Sequence, residues 1–147
     1  SNYYLLLVGT GRKEEKIKKI IRESNLANRV QLLGFRKDIP KIMKTCDIYV
    51  QSSHWEGFGL VVVEAMASGL PVVASEVEGV SEVVGSAGLL FECGNAKELA
   101  TKVTEAIANR ENLIKMGKEQ ANKFSTDRFL KEHLKLYSQN IAVRNSL

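Results

Sequence analysis

The sequence predicts an α/β protein with a parallel β-sheet of about five strands flanked by helices. Short apolar runs alternate with amphipathic segments along the chain, a pattern typical of strands that alternate with helices. The apolar run at residues 47–50 is typical of a parallel strand that is covered on both faces. At 147 residues the chain is long enough to bury its own core, and we expect one domain over residues 1–147.

The first half of the chain is predicted to hold three strands and two helices. The first helix follows a tight turn with glycines at positions 9 and 11, and its isoleucines form a narrow buried stripe. Asp38 can cap the second helix, and Pro40 suits its first turn. The predicted strands are 3–8, 30–33 and 47–50, the helices are 12–24 and 38–45, and the stripe consists of Ile17, Ile20, Ile21 and Leu26.

The second half is predicted to continue with a buried helix over residues 60–67, which Gly69 and Pro71 terminate. Strands over 72–75 and 88–91 follow, with a short helix over 81–84 between them. Asn95 and Glu98 have the spacing of a capping box, which marks the first of three closing helices. Each closing helix is predicted to turn a set of apolar or small residues inward. In the first helix these are Leu99, Val103, Ala106 and Ile107, in the second Leu113, Ile114, Gly117, Ala121 and Phe124, and in the third Leu130, Leu134, Tyr137 and Ile141.

The most informative stretch is the glycine loop at residues 51–59 with the apolar helix after it. Gly57 and Gly59 let a ligand approach the backbone, and free amides at a helix start bind anions. Glu64 stands among apolar residues, so we expect a buried carboxylate that needs hydrogen-bond donors. A phosphate at the helix start, with Glu56 and Glu64 accepting from hydroxyls, would fit a nucleotide, a sugar or both.

Three segments of this region resemble the E-x7-E region of family 4 (group 1) retaining glycosyltransferases. They are residues 56–60 (Glu-Gly-Phe-Gly-Leu), 64–67 (Glu-Ala-Met-Ala) and 69–74 (Gly-Leu-Pro-Val-Val-Ala). The resemblance extends from about residue 5 to about residue 124. It implies a GT-B fold, in which two Rossmann-like domains face a cleft, and this chain would be the donor-binding half. The implied activity is hexosyl transfer from a UDP- or GDP-sugar in polysaccharide or glycolipid synthesis, with no cofactor.

The resemblance also implies the roles of individual residues. Glu56 would be the catalytic residue near the anomeric carbon of the donor sugar, as a nucleophile or as a stabilising charge. Glu64 would accept hydrogen bonds from the ribose hydroxyls. For Arg36 an exposed surface role is an equal alternative, as is a simple helix-start turn for Gly79 and Glu82. The other donor-binding residues would be Gly34, Phe35, His54, Gly57, Phe58, Gly59, Leu60 and Val61.

The loops after the strands ending at Val8, Leu33, Val50 and Ser75 should lie at one sheet edge and converge on one crevice. The family's donor domain normally opens with one further strand, followed by an Arg and a Lys that neutralise the diphosphate. These have no counterpart here, so we expect a fragment that also lacks the acceptor domain. Its sheet would then be rearranged, or completed by another copy of the chain in a homo-oligomer.

Composition excludes several other classes. The net charge of +4 comes from basic residues interleaved with acids and not with aromatics, which argues against nucleic-acid binding. No apolar run approaches the roughly 20 residues that span a bilayer, so we expect a cytoplasmic protein, with membrane contact at the inner face only through the absent domain. Cys46, Cys93, His54 and His133 do not form a metal-binding pattern.

Two alternatives to a glycosyltransferase stay open at this stage. One is a GT-B-like nucleotide-sugar epimerase, against which the Gly-Phe-Gly loop and the E-x7-E spacing argue. The other is a non-catalytic interaction domain on a Rossmann-like scaffold. It would bind no nucleotide and tolerate replacement of Glu64 by alanine, and fold alone would not separate it from an enzyme. The base, the sugar and the acceptor are not predicted.

Overall fold

The computed structural model describes the backbone of residues 3–144 and the side chains of residues 3–138. Its helices and strands alternate up to the last strand and are followed by three helices. In order they are β1 (Leu5–Val8), α1 (Glu14–Glu23), β2 (Val30–Gly34), α2 (Ile39–Met43), β3 (Tyr49–Gln51), α3 (Leu60–Ala67), β4 (Val72–Ser75), α4 (Val80–Val84), β5 (Leu89–Phe91), α5 (Ala96–Ala108), α6 (Arg110–Asn122) and α7 (Thr126–Arg144).

The chain divides into two compact units, which meet in sequence between Ile39 and Pro40. In the N-terminal unit β1 and β2 pair in parallel, with Leu5 opposite Val30 and an irregularity after Leu7. Helix α1 buries fewer side chains than predicted. Of its stripe only Ile21 is buried, and Ile17 is half-buried. Ile20 and Leu26 are exposed, since two short strands offer little surface for a helix to cover.

In the C-terminal unit the parallel strands have the order β3-β4-β5. The central strand, β4, is buried at every residue, as the continuous apolar run predicts. Helix α5 packs on this sheet through Ala106, with Leu99 and Val103 partly buried beside the core. Ile107, predicted to face inward, is exposed.

The α/β class and the parallel strands are confirmed, but the five strands form two sheets rather than one. Among the described residues, no strand pairing is found between β1 or β2 and the strands β3 to β5.

Helix α3 packs closely on α6, with Gly117 facing Met66. A Cβ at Gly117 would lie 3.4 Å from Cγ of Met66, and the Met66 side chain is fully buried. Leu113, Gly117 and Ala121 are buried on α6, as predicted, whereas Ile114 and Phe124 are half-buried. On α7 the apolar residues Phe129, Leu130, Leu134 and Tyr137 are exposed, and the side chain of Ile141 lies outside the described residues.

Asn95 caps α5 through its side chain, as predicted. Its Oδ1 accepts from the Glu98 amide at 3.0 Å. The Glu98 carboxylate accepts from the backbone amide of Glu92 at 2.9 Å instead of from the amide of Asn95. The Asn95 Nδ2 group also donates to the Glu92 carboxylate, so the cap joins the end of β5 to the start of α5.

We expect replacement of Asn95 by alanine to lower the free energy of unfolding by about 1 kcal/mol, because the Glu98 amide loses its acceptor. Denaturant titration of both proteins gives the difference. Asn122→Ala is the matched control, since Asn122 is exposed at the end of α6. Equal losses from the two substitutions would show that the side-chain cap contributes nothing.

No helix in the described part of the chain is both long and apolar enough to cross a membrane.

Candidate functional site

The loop between β3 and α3 is fixed at the carboxyl ends of all three strands of the C-terminal unit. It leaves the end of β3 directly. The hydroxyl of Ser75, fully buried at the end of β4, donates to the carbonyl oxygen of Ser53 at 2.6 Å. Sγ of Cys93, just after β5, lies 3.7 Å from the same oxygen. Ligands of parallel α/β sheets bind at this edge.

Helix α3 begins with an open N-terminus. Its N-cap, Gly59, has φ +78° and provides no side-chain cap, and the first turn contains no acidic residue. The amide of Val62 bonds to the carbonyl of Gly59. Among the described residues no acceptor is recorded for the amides of Leu60 and Val61, two residues that are 64% and 42% exposed. The positive end of the helix dipole is therefore available to an anion.

Glu64 is exposed, so the expectation of a buried carboxylate was wrong. Only Val62, Ala65 and Met66 of α3 are buried. The helix is apolar on almost every side, and its sequence has no periodicity to show which face would be uncovered. Glu64 lies one turn beyond Leu60, on the exposed face that begins at the open N-terminus.

Glu56 is half-buried and its carboxylate accepts two hydrogen bonds. Nε2 of Gln51 donates to Oε2 at 3.2 Å, and the amide of Gly57 donates to Oε1 at 3.2 Å. Gln51 is 8% exposed and in turn accepts a hydrogen bond from the hydroxyl of Tyr49. Sequence reasoning missed Tyr49 and Gln51, although two polar side chains alternating at the end of a strand were a signal.

An open depression of about 360 Å³ lies beside Glu56. This is within the volume range of small-molecule sites. Its walls come from β3, from the loop and from the start of α3. The lining residues are Tyr49, Val50, Gln51, Ser52, Ser53, Glu56 and Val61.

Burial raises the pKa of Tyr49 to about 12, and the negative charges of Glu56 and Glu64 contribute in the same direction. The phenol is therefore a neutral hydrogen-bond donor throughout the physiological pH range.

We expect one of the four tyrosines to ionise late in a spectrophotometric titration, near pH 12. Because folding raises this pKa, the resulting stabilisation is complete below the unfolded value of about 10 and is lost as the pH rises towards 12. Tyr49→Phe should remove the late step. Persistence of that step in the variant would assign it to another tyrosine.

A second glycine loop packs on the first. Gly79 is buried at φ +83°. A Cβ there would lie 2.7 Å from the carbonyl oxygens of both Glu56 and Gly57. The structure thus brings Gly79 against the Glu56 loop. Glu82, in the first turn of α4, is exposed, and no contact with Glu56 is recorded for it.

Phe58 and His54 hold the loop through their side chains. The ring of Phe58 packs edge-on against Phe124, with 5.7 Å between ring centroids. Nδ1 of His54 lies 3.1 Å from Sγ of Cys93. Both cysteines are free thiols. In the described part of the chain no cluster of three His, Cys, Asp or Glu side chains could hold a metal ion.

The predicted residues of the N-terminal unit lie at the end of β2. Gly34 has φ +62°, and its carbonyl accepts from the amide of Gly9 at 2.8 Å, so the two glycine turns of this unit meet. Phe35 is 74% exposed. The convergence of these turns with the loops of the C-terminal unit stays a prediction.

Arg36 makes a two-pronged contact with Asp38, with N–O distances of 2.8 and 2.7 Å. Hydrogen bonding to this guanidinium lowers the pKa of the Asp38 carboxyl group. Asp38 was predicted to cap α2, but its side chain is bonded to Arg36 and no capping bond is recorded. An exposed guanidinium offers a stronger partner than a helix amide.

Comparison with known proteins gives consistent results. The family model described as "Glycosyl transferases group 1" matches residues 1–123. An uncharacterized glycosyltransferase of Methanocaldococcus jannaschii is 36% identical over 140 residues, which are 90% of this chain and 40% of that protein. The N,N'-diacetylbacillosaminyl-diphospho-undecaprenol alpha-1,3-N-acetylgalactosaminyltransferase of Campylobacter jejuni is 36% identical over 117 residues, covering 76% of this chain and 31% of the relative.

Among solved structures, Anabaena HepE in complex with UDP-glucose superposes with a TM-score of 0.74 at 32% identity, over 98% of this chain and 41% of that one. The chain therefore spans less than half the length of each of these three proteins.

Proposed function

Because the chain belongs to the group 1 glycosyl transferases, we propose that it forms the donor-binding part of an enzyme that transfers a hexose from a nucleotide diphosphate sugar with retention of configuration. One observation carries this proposal. The open N-terminus of α3 lies between two carboxylates, with Glu56 in the preceding loop and Glu64 one turn into the helix. Such an arrangement suits a ligand with a central anion and hydroxyl groups on both sides.

The donor would be held mainly by backbone groups. Its diphosphate would accept from the amides of Leu60 and Val61, where the helix dipole favours negative charge. Glu64 would accept from the ribose hydroxyls. The sugar would lie in the depression beside Glu56, close to the amides of Gly57, Phe58 and Gly59. Fixed amides aimed at the leaving phosphate stabilise the charge that develops on it, and this requires no metal ion.

The assignments of the base and of the remaining contacts rest on the sequence resemblance alone. Gly34, Phe35 and Arg36 would lie near the base, and His54, Gly79 and Glu82 near the sugar. HepE was solved with UDP and with UDP-glucose, which makes a UDP-sugar the first donor to test and a GDP-sugar the second. The epimerase and the interaction domain are not favoured, since the curated relatives compared are glycosyltransferases.

The acceptor would bind outside residues 1–147. The name of the Campylobacter relative specifies an undecaprenol-linked acceptor, which supports a role in glycolipid or polysaccharide synthesis. We expect the isolated chain to bind nucleotide weakly and to transfer no sugar. Detectable sugar transfer by the isolated chain would contradict this expectation.

The proposal is tested by calorimetric titration of the 147-residue chain with UDP, GDP and ADP. We expect one nucleotide to bind at least about tenfold more tightly than the other two, a difference of about 1.4 kcal/mol. The corresponding nucleoside is the matched ligand control, because it lacks the diphosphate and should bind far more weakly. Equal affinities for all three nucleotides, or no binding of any, would overturn the assignment.

A further inference from the structure

The carboxylate of Glu56 is held by a hydrogen-bond chain that begins outside its own loop. Tyr49 and Gln51 are two residues apart on β3, so their side chains share one face of the strand. The hydroxyl of Tyr49 donates to Oε1 of Gln51. Nε2 of Gln51 then donates to Oε2 of Glu56 at 3.2 Å. The chain thus runs from a strand side chain, through a buried amide, to the loop.

The order of donors in this chain is set by chemistry. An ionised Glu56 only accepts hydrogen bonds, so the amide must turn its NH₂ group towards it and its oxygen towards Tyr49. The phenol then has to donate, and the Tyr49 hydroxyl does donate to Oε1 of Gln51. If the Gln51 amide were turned the other way, its oxygen would face the carboxylate oxygen of Glu56, and neither atom could donate. Each member therefore fixes the orientation of the next.

The bonds on Glu56 leave part of its carboxylate free. Gln51 donates to Oε2 and the Gly57 amide donates to Oε1, so each oxygen accepts one hydrogen bond. A carboxylate has about four acceptor sites in all. Glu56 lines the open depression together with Ser52, Ser53 and Val61. Its remaining sites are available to hydroxyl groups of a ligand in that depression.

We propose that Gln51 is a positioning residue, which holds the Glu56 carboxylate in the orientation that contacts the donor sugar, and that Tyr49 fixes the amide of Gln51. This inference rests on the proposed function for the identity of the ligand. Gln51 also lines the depression, but the role proposed for it depends on its hydrogen bond to Glu56 and not on contact with the donor. Replacing Gln51 should therefore weaken binding of the sugar and not of the nucleotide, because the nucleotide is assigned to the start of α3 and to Glu64.

The test compares UDP with UDP-glucose on the wild-type chain and on Gln51→Glu. This nearly isosteric variant keeps the acceptor for Tyr49 and loses the donation to Glu56. We expect its affinity for UDP-glucose to fall about tenfold and its affinity for UDP to change less than about twofold. Tyr49→Phe, which removes only the hydroxyl, should show the same selectivity to a smaller degree.

Gln120→Glu is the matched control, because Gln120 donates to the carbonyl of Val83, which is not part of the depression. It should leave the ratio of the two affinities unchanged. Equal losses for UDP and UDP-glucose in Gln51→Glu, or no loss for either, would overturn the positioning role.

A ligand-free measurement separates this inference from the proposed function. The Gly57 amide is bonded to Glu56, so its NMR resonance reports the carboxylate's position. In Gln51→Glu and Tyr49→Phe the chemical shift of the Gly57 amide should change, while that of the Leu99 amide on α5 should remain the same. If the wild type binds none of UDP, GDP and ADP, the proposed function fails and the Gly57 resonance alone decides about positioning. An unmoved Gly57 resonance overturns the inference even when UDP binds.

Discussion

Replacing Gly79 with alanine should lower the free energy of unfolding by about 3 kcal/mol, through backbone strain and steric overlap together. Gly79 has φ +83°, where a side chain is strained. The added Cβ would also lie 2.7 Å from the carbonyl oxygens of Glu56 and Gly57, and backbone atoms cannot rotate away as a side chain can. The loop that carries Glu56 must therefore move, and we expect nucleotide binding to weaken with stability. Denaturant titration and calorimetry measure the two effects.

Gly94→Ala separates the two causes. Gly94 has a similar φ of +87°, but a Cβ there would have no atom within 4 Å. This control should cost only the backbone strain, about 1 kcal/mol, and leave nucleotide binding unchanged. If the two substitutions destabilise the protein equally, the close packing of the two glycine loops contributes nothing to stability.

Replacing Glu64 with alanine should weaken nucleotide binding about 10- to 100-fold, the range expected for a lost hydrogen bond to a charged group. The carboxylate is exposed and no hydrogen bond to it is recorded within the described chain, so removing it leaves no buried donor unsatisfied. The midpoint of thermal unfolding should therefore stay close to that of the wild type. Calorimetric titration with the preferred nucleotide gives the change in affinity.

The control for Glu64 is Glu119→Ala, which removes an exposed acid from α6 and changes the net charge equally. It should leave the affinity unchanged. An equal loss in both variants would indicate a general electrostatic effect, and no loss in Glu64→Ala would show that this carboxylate does not contact the nucleotide.

Two elements at the site, α3 and β4, were predictable to the residue from local sequence signals. Helix α3 and strand β4 were predicted with the bounds they have. Gly59, Gly69 and Pro71 mark the ends of α3, and strand β4 is apolar at every residue except its last. The separation into two sheets was not predictable in this way, because strand pairing depends on residues far apart in sequence.

The exposure of Glu64 shows the limit of the apolar pattern. A helix with apolar residues on almost every side predicts burial all round, whereas α3 leaves Leu60, Val61 and Glu64 uncovered. The motif predicted which carboxylates to examine, although the physical argument for Glu64 was wrong.

The contacts that hold Glu56 and its loop were also missed, because they come from residues of three different strand ends. Gln51 ends β3, Ser75 ends β4, and Cys93 lies just after β5. Their contacts with the loop are made through space and leave no periodic signal in the sequence.

The most direct test of the account is to map the nucleotide on the chain by NMR. Amide resonances of the isotopically labelled protein would be followed while UDP, or whichever nucleotide binds best, is added to saturation. The account predicts that the largest shifts occur at Gly59, Leu60 and Val61, with smaller ones near Glu56 and Glu64. Shifts confined to α5, α6 or α7, or no shifts at saturating nucleotide, would contradict it.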